Sequence, residues 1–132
     1  MRTSLGMARL AFGAVLTAGS TLALACGFCV EDRIATVYDH AMVEAATASK
    51  NEVAFFSLDG VTHDAARRAL TAALASAGAT KGSVRISDGA CSAAYDPART
   101  SAAKIAASVN TMLAARGMTL VPLRVIEARG KS

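Results

Sequence analysis

Between residues 30 and 49 the apolar positions Val30, Ile34, Val37, Tyr38, Ala41 and Ala45 recur every three or four residues. That is the stripe of an amphipathic helix, and it predicts one helix from Val30 to Ser49. Glu31 and Asp32 fall in its first turn, where the helix dipole favours anions, and Lys50-Asn51 ends it. The pattern then changes period. EVAFFSL reads as a strand closed by the Asp59-Gly60 turn. THDAARRALTAALASAG returns to helical spacing, with Thr62 as its cap and Gly78 as its stop. GSVRI and CSAAY are two further strands joined by Ser87-Asp88-Gly89, a hairpin signal because glycine tolerates positive φ. Asp96-Pro97 leads into a third helix, TSAAKIAASVNTMLAARG, and LVPLRVI is a last strand, placed at a sheet edge because Pro122 has no amide to donate.

The order after residue 50 is βαββαβ. Two split βαβ units give an α+β, ferredoxin-like architecture: a four-stranded antiparallel sheet with helices 62–77 and 101–116 on one face and the helix 30–49 packed outside that unit. In this reading the first and third strands run parallel, which puts Cys91, at the start of the third, away from the loop that follows the first.

The N-terminal pattern is of another kind. Residues 1–9 carry Arg2 and Arg9 and no acid, and LAFGAVLTAGSTLALA follows, ending in the small-x-small triplet Ala23-Leu24-Ala25. This is the form of an export signal cleaved after Ala25. The apolar run is shorter than the ~20 residues a membrane span needs, and no cationic stop follows it. The expected organisation is a signal peptide at 1–25, a C-x-x-C segment with its helix at 26–52, the ferredoxin-like domain at 53–127 and a tail at 128–132. The expected location is periplasmic or secreted, with no membrane association after cleavage unless Cys26, the new amino terminus, is lipidated.

Removing the leader alters the charge. Of the formal +4, two units belong to Arg2 and Arg9, so the basic balance partly belongs to the leader. The remaining cations are scattered and no tryptophan or aromatic platform accompanies them, which argues against nucleic acid as a partner. Two histidines, His40 and His63, are too few for a hydrolytic metal centre or a nucleophile with its base, so no enzyme activity is expected except thiol-disulfide exchange.

Three cysteines divide into Cys26 with Cys29, and Cys91 alone. A disulfide across a two-residue gap closes too small a loop to stabilise the fold much, so the pair points to chemistry. Cys91 reads as a small buried hydrophobe. His40 reads as a surface residue, and Met42 as core filler or a weak thioether ligand.

The run SVRISDGACSAAYDPARTSAAKIAASVNTMLAARG resembles the second half of a heavy-metal-associated domain, the fold of small copper chaperones and of the periplasmic mercury-binding protein. Tyr95, Asp96, Pro97, Thr100, Ser101 and Ile105 carry the resemblance. Earlier, DGVTHDAARRAL is similar to the family's G-M-T-C-x-x-C loop, with Gly60, Val61 and Thr62 in place. The resemblance implies soft-metal binding, yet His63 and Ala66 stand where the family has its two cysteines. Cys26 and Cys29 are the candidate replacements. A helix of ~1.5 Å per residue from Val30 to Ser49, folded back along the first strand, would bring its start near the end of that strand, beside His63. The expected ligands are therefore Cys26, Cys29 and His63, with copper(I) as the ion that suits two thiolates and zinc as the alternative. The other readings are a periplasmic thiol-disulfide protein, and a degenerate domain serving as a protein-interaction module. A protein partner for metal or disulfide transfer accompanies the first two.

Overall fold

A computed structural model of the chain describes residues 30–61 and 63–128. Residues 1–29, which hold the expected signal peptide with Cys26 and Cys29, and Thr62 and residues 129–132 lie outside the described residues. Residues 30–36 are helical (α1). There follow α2 (His40–Ala48), β1 (Glu52–Asp59), α3 (Asp64–Ala77), β2 (Arg85–Ile86), β3 (Ala90–Tyr95), α4 (Ala102–Leu113) with a short 3-10 turn (Ala114–Arg116), and β4 (Thr119–Ile126).

The strands form one sheet in the order β2-β3-β1-β4, each pair antiparallel. Two βαβ units, β1-α3-β2 and β3-α4-β4, interleave to give that order, and the fold is ferredoxin-like. β4 is an edge strand, as Pro122 requires, and its register slips between Phe55 and Phe56 of β1. The predicted strand GSVRI is reduced to Arg85 and Ile86, paired with Ser92 and Cys91. Ser87 N–H closes the hairpin on the Ala90 carbonyl at 2.9 Å. Gly89 is not among the glycines with positive φ, so this turn does not use the freedom expected of it.

Both faces of the sheet are covered. On one, Leu70 and Leu74 of α3 and Ile105, Val109 and Leu113 of α4 pack over Ala54, Phe56, Leu58, Cys91, Tyr95 and Leu120. On the other, Ile34 and Val37 of the first helical segment and Met42, Val43 and Ala46 of α2 pack over Val53, Phe55, Ala90 and Ala94. Strands β1 and β3 are therefore buried on both sides, which explains why EVAFFSL and ACSAAY show no alternation of polar and apolar positions.

The predicted single helix 30–49 is two helices. Asp39 is extended (φ −126°, ψ 108°) and caps α2 by accepting the Met42 N–H at 3.0 Å. The Asp39 carboxylate also takes the Arg85 Nε–H at 2.9 Å, and the Ser92 hydroxyl donates to the Val37 carbonyl at 2.9 Å, so the break is tied to β2 and β3. The interruption moves the buried stripe. Ile34 and Val37 are buried as predicted, but Tyr38, Ala41 and Ala45 are exposed and Met42, Val43 and Ala46 take the inner face.

Topology corrects a second expectation. β1 and β3 are antiparallel, with Phe56 opposite Cys91 and Ser57 opposite Ala90. The start of β3 therefore lies at the same end of the sheet as the loop after β1.

Candidate functional site

The loop that follows β1 is fixed by backbone contact. Gly60 has φ +90°, and a Cβ there would lie 2.3 Å from the Gly117 carbonyl oxygen, so only glycine fits where the two turns cross. Val61 is buried, and the chain enters α3 at His63. His63, not Thr62, is the N-cap: its Nδ1 accepts the Ala66 N–H at 3.2 Å. In the next turn Arg67 reaches the Ile86 carbonyl at 3.3 Å and the Asp88 carboxylate at 2.8 Å, pinning the start of α3 to the hairpin.

This geometry decides what the loop can hold. Residues 63 and 66 occupy the positions at which the resemblance implies two ligands; here one caps the helix and the other is a buried alanine with no donor atom. An imidazole whose Nδ1 accepts a hydrogen bond carries its proton on Nε2. To ligate a metal through Nε2 it would have to move that proton to Nδ1, which would then oppose the Ala66 N–H and break the cap. The loop does not fit a soft ion. Among the described residues no group of three or more His, Cys, Asp or Glu side chains could hold a metal.

The residues that lead out of the C-x-x-C segment lie elsewhere. Glu31 forms a two-pronged ion pair with Arg124 of β4, one bond at 3.2 Å and the other from Nη2 to Oε1. Those bonds hold the Glu31 carboxyl below the usual carboxylate range. Arg124 is opposite Phe55 in the middle of β1. At the other end of the same helical segment the Thr36 and Ser87 hydroxyls meet at 2.7 Å. The segment thus crosses the sheet from β4 to the hairpin, and its start sits on the face opposite α3. The expected approach of its N-terminal end to His63 assumed an unbroken helix folded back along β1; the break at Asp39 removes that geometry. Cys26 and Cys29 themselves lie outside the described residues.

The remaining candidates resolve simply. Cys91 is fully buried against the α3 and α4 layer, and burial pushes its thiol up to about 12, which keeps it protonated and unreactive. His40 is exposed at the first turn of α2, and Met42 is core. In the Y-D-P-x-x-T-S run the Tyr95 hydroxyl donates to Glu52 at 3.0 Å inside the fold. Asp96 accepts the Ala98 N–H at 2.9 Å, and Ser101 caps α4 through the Lys104 N–H at 3.2 Å. The run is a turn and a cap, so its residues shape the entry to α4.

Sequence reading missed a groove beside the first helical segment, bordered by Tyr38, Phe55, Arg124 and Ile126. Its only sequence signal was Asp39, a strong capping residue inside an apparently continuous helix. Comparison of the chain with protein-family models, curated proteins and solved structures finds no match.

Proposed function

We propose that this chain is an exported soft-metal-binding protein, with copper(I) the favoured ion, that acts in metal trafficking or homeostasis through Cys26 and Cys29. One observation carries the reading: among the described residues Cys91, Met42 and His63 are each committed to the fold, and the exposed His40 belongs to no group of three or more possible ligands. Cys91 is buried and protonated, Met42 is core, and the loop position that the heavy-metal-associated resemblance marks is spent on capping α3. The C-x-x-C pair remains, and two thiolates are a sufficient set for copper(I), which accepts low coordination numbers. His63 is left out of this set, because its ring nitrogen is held by Ala66 and it starts a helix on the opposite face of the sheet.

The test is a titration of the reduced protein with copper(I) against a competing chelator, beside Cys26→Ser, Cys29→Ser and His63→Ala. The expected result is one equivalent bound, lost in either serine variant and kept in His63→Ala. Loss in His63→Ala with the helical signal intact would restore a three-ligand site. No binding by the reduced wild type, with efficient disulfide transfer to a reduced client, would replace metal binding with thiol-disulfide exchange; failure in both assays would leave an interaction module.

A further inference from the structure

Capping of α3 by His63 depends on the charge of the ring. The side chains that usually cap helices bring an oxygen, which stays an acceptor from pH 5 to pH 8. His63 brings Nδ1 instead, which accepts the Ala66 N–H at 3.2 Å and can do so only while it carries no proton. In the imidazolium both ring nitrogens are donors, so flipping the ring restores no acceptor. Imidazole is also the side chain that ordinarily changes charge in this pH range. Ala66 is buried in the core beneath α3, so loss of its partner is felt by a packed turn and not by a frayed end.

The charges around the ring divide. Asp64 beside it and Asp59 at the end of β1 favour the cation. Arg67 and Arg68 in the next turn, Arg116 ahead of the Gly117 turn that meets Gly60, and the positive end of the helix dipole oppose it. Asp88 on the hairpin is taken up by Arg67 at 2.8 Å. Asp59, Asp64 and Arg116 are exposed, where salt screens them, whereas the hydrogen bond from Ala66 is either made or lost. We propose that His63 is a pH-sensitive cap: a second proton on its ring releases the Ala66 N–H and loosens the first turn of α3, at the point where Arg67 ties that helix to the Ile86 carbonyl and Asp88. The unfolded chain takes up that proton without losing a cap, so the cap's contribution to stability is present at pH 7.5 and falls as the pH drops toward 5. The switch is independent of the metal reading, which leaves His63 out of the ligand set.

The test uses the protein recovered from cells expressing the full sequence, reduced and freed of metal, with His40→Gln so that His63 is the sole histidine. Urea unfolding is measured at pH 7.5 and pH 5, beside the same chain with His63→Asn, whose amide oxygen caps at both pH values. On going to pH 5 the folding equilibrium constant is expected to fall ~fivefold more with His63 than with His63→Asn, the worth of an ordinary cap. Groups that titrate in both chains cancel in that comparison. In the chain that keeps His63, the Ala66 N–H resonance is expected to shift with the same midpoint as the His63 ring resonances, a readout that needs no variant at residue 63. An equal pH response of the two chains overturns the proposal, as does an Ala66 N–H that does not follow the ring. A His63 chain that gains stability at pH 5 relative to His63→Asn overturns it as well, in favour of attraction by Asp59 and Asp64.

Discussion

Gly60→Ala tests the crossing of the two turns that position the start of α3. Two effects act on the new methyl group. The first is conformational: φ is +90° at this residue, and a left-handed backbone costs an L-residue about 1–2 kcal/mol. The second is contact. The Cβ would lie 2.3 Å from the Gly117 oxygen, 3.0 Å from its carbonyl carbon and 3.2 Å from Met118 Cα. All three are backbone atoms, so relief requires moving the start of β4 away from β1, and overpacking of this kind costs about 1–3 kcal/mol. The expected loss is about 2–5 kcal/mol, a large part of the roughly 5–15 kcal/mol that a small domain has. Gly82→Ala isolates the conformational effect, because Gly82 has φ +79° and nothing within 4 Å of its Cβ position. Both variants share the conformational cost and the reduced freedom of the unfolded chain, so their difference reports the contact alone. Urea unfolding followed by circular dichroism gives both values. Equal losses in the two variants would refute the close approach of the turns.

Two further predictions follow from buried groups. Ser92→Ala removes the hydrogen bond to the Val37 carbonyl, both residues being buried, and is expected to cost about 1–3 kcal/mol by urea unfolding; hydrogen exchange should rise more in residues 30–48 than in α4. Cys91 should resist alkylation at pH 8 in the native protein and react fully in urea. Its folded value of about 12 exceeds the ordinary 9.0, so the thiol's contribution to stability is present below pH 9 and falls as pH rises toward 12; Cys91→Ala should flatten that alkaline loss.

The order of elements was legible because each piece of the βαββαβ unit carries its own local signal: strand runs of bulky residues, glycine stops at Gly78 and Gly117, and serine as the cap at Ser101. The break at Asp39 was not. A helix and a pair of helices with a one-residue shift share most of the same apolar spacing, and the contacts that select the pair, Arg85 to Asp39 and Ser92 to Val37, join residues far apart in sequence. The third strand's direction was misread from topology, and with it the end of the sheet at which Cys91 lies. At the loop, the resemblance marked His63 as a ligand position, whereas the role the structure gives it is local. A histidine before Asp64-Ala65-Ala66 can cap the helix with the same nitrogen that would otherwise be free to serve a metal.

The broken helix has a consequence for where chemistry can sit. An unbroken helix of residues 30–49 would extend ~30 Å but cover only a strip ~10 Å wide, leaving part of the apolar pair β1 and β3 open. Two segments cover more. The first crosses the strands, held by Arg124 at one end and Ser87 at the other, while α2 runs over β1 and β3 and feeds the chain into β1. Val53, Phe55, Ala90 and Ala94 are buried as a result. The start of the crossing segment is held at β4 by the Glu31–Arg124 pair. On the proposed copper(I) reading the His63→Ala variant is the sharpest control in the titration: His63 Nδ1 is spent on the Ala66 N–H, so the variant is expected to bind as the wild type does.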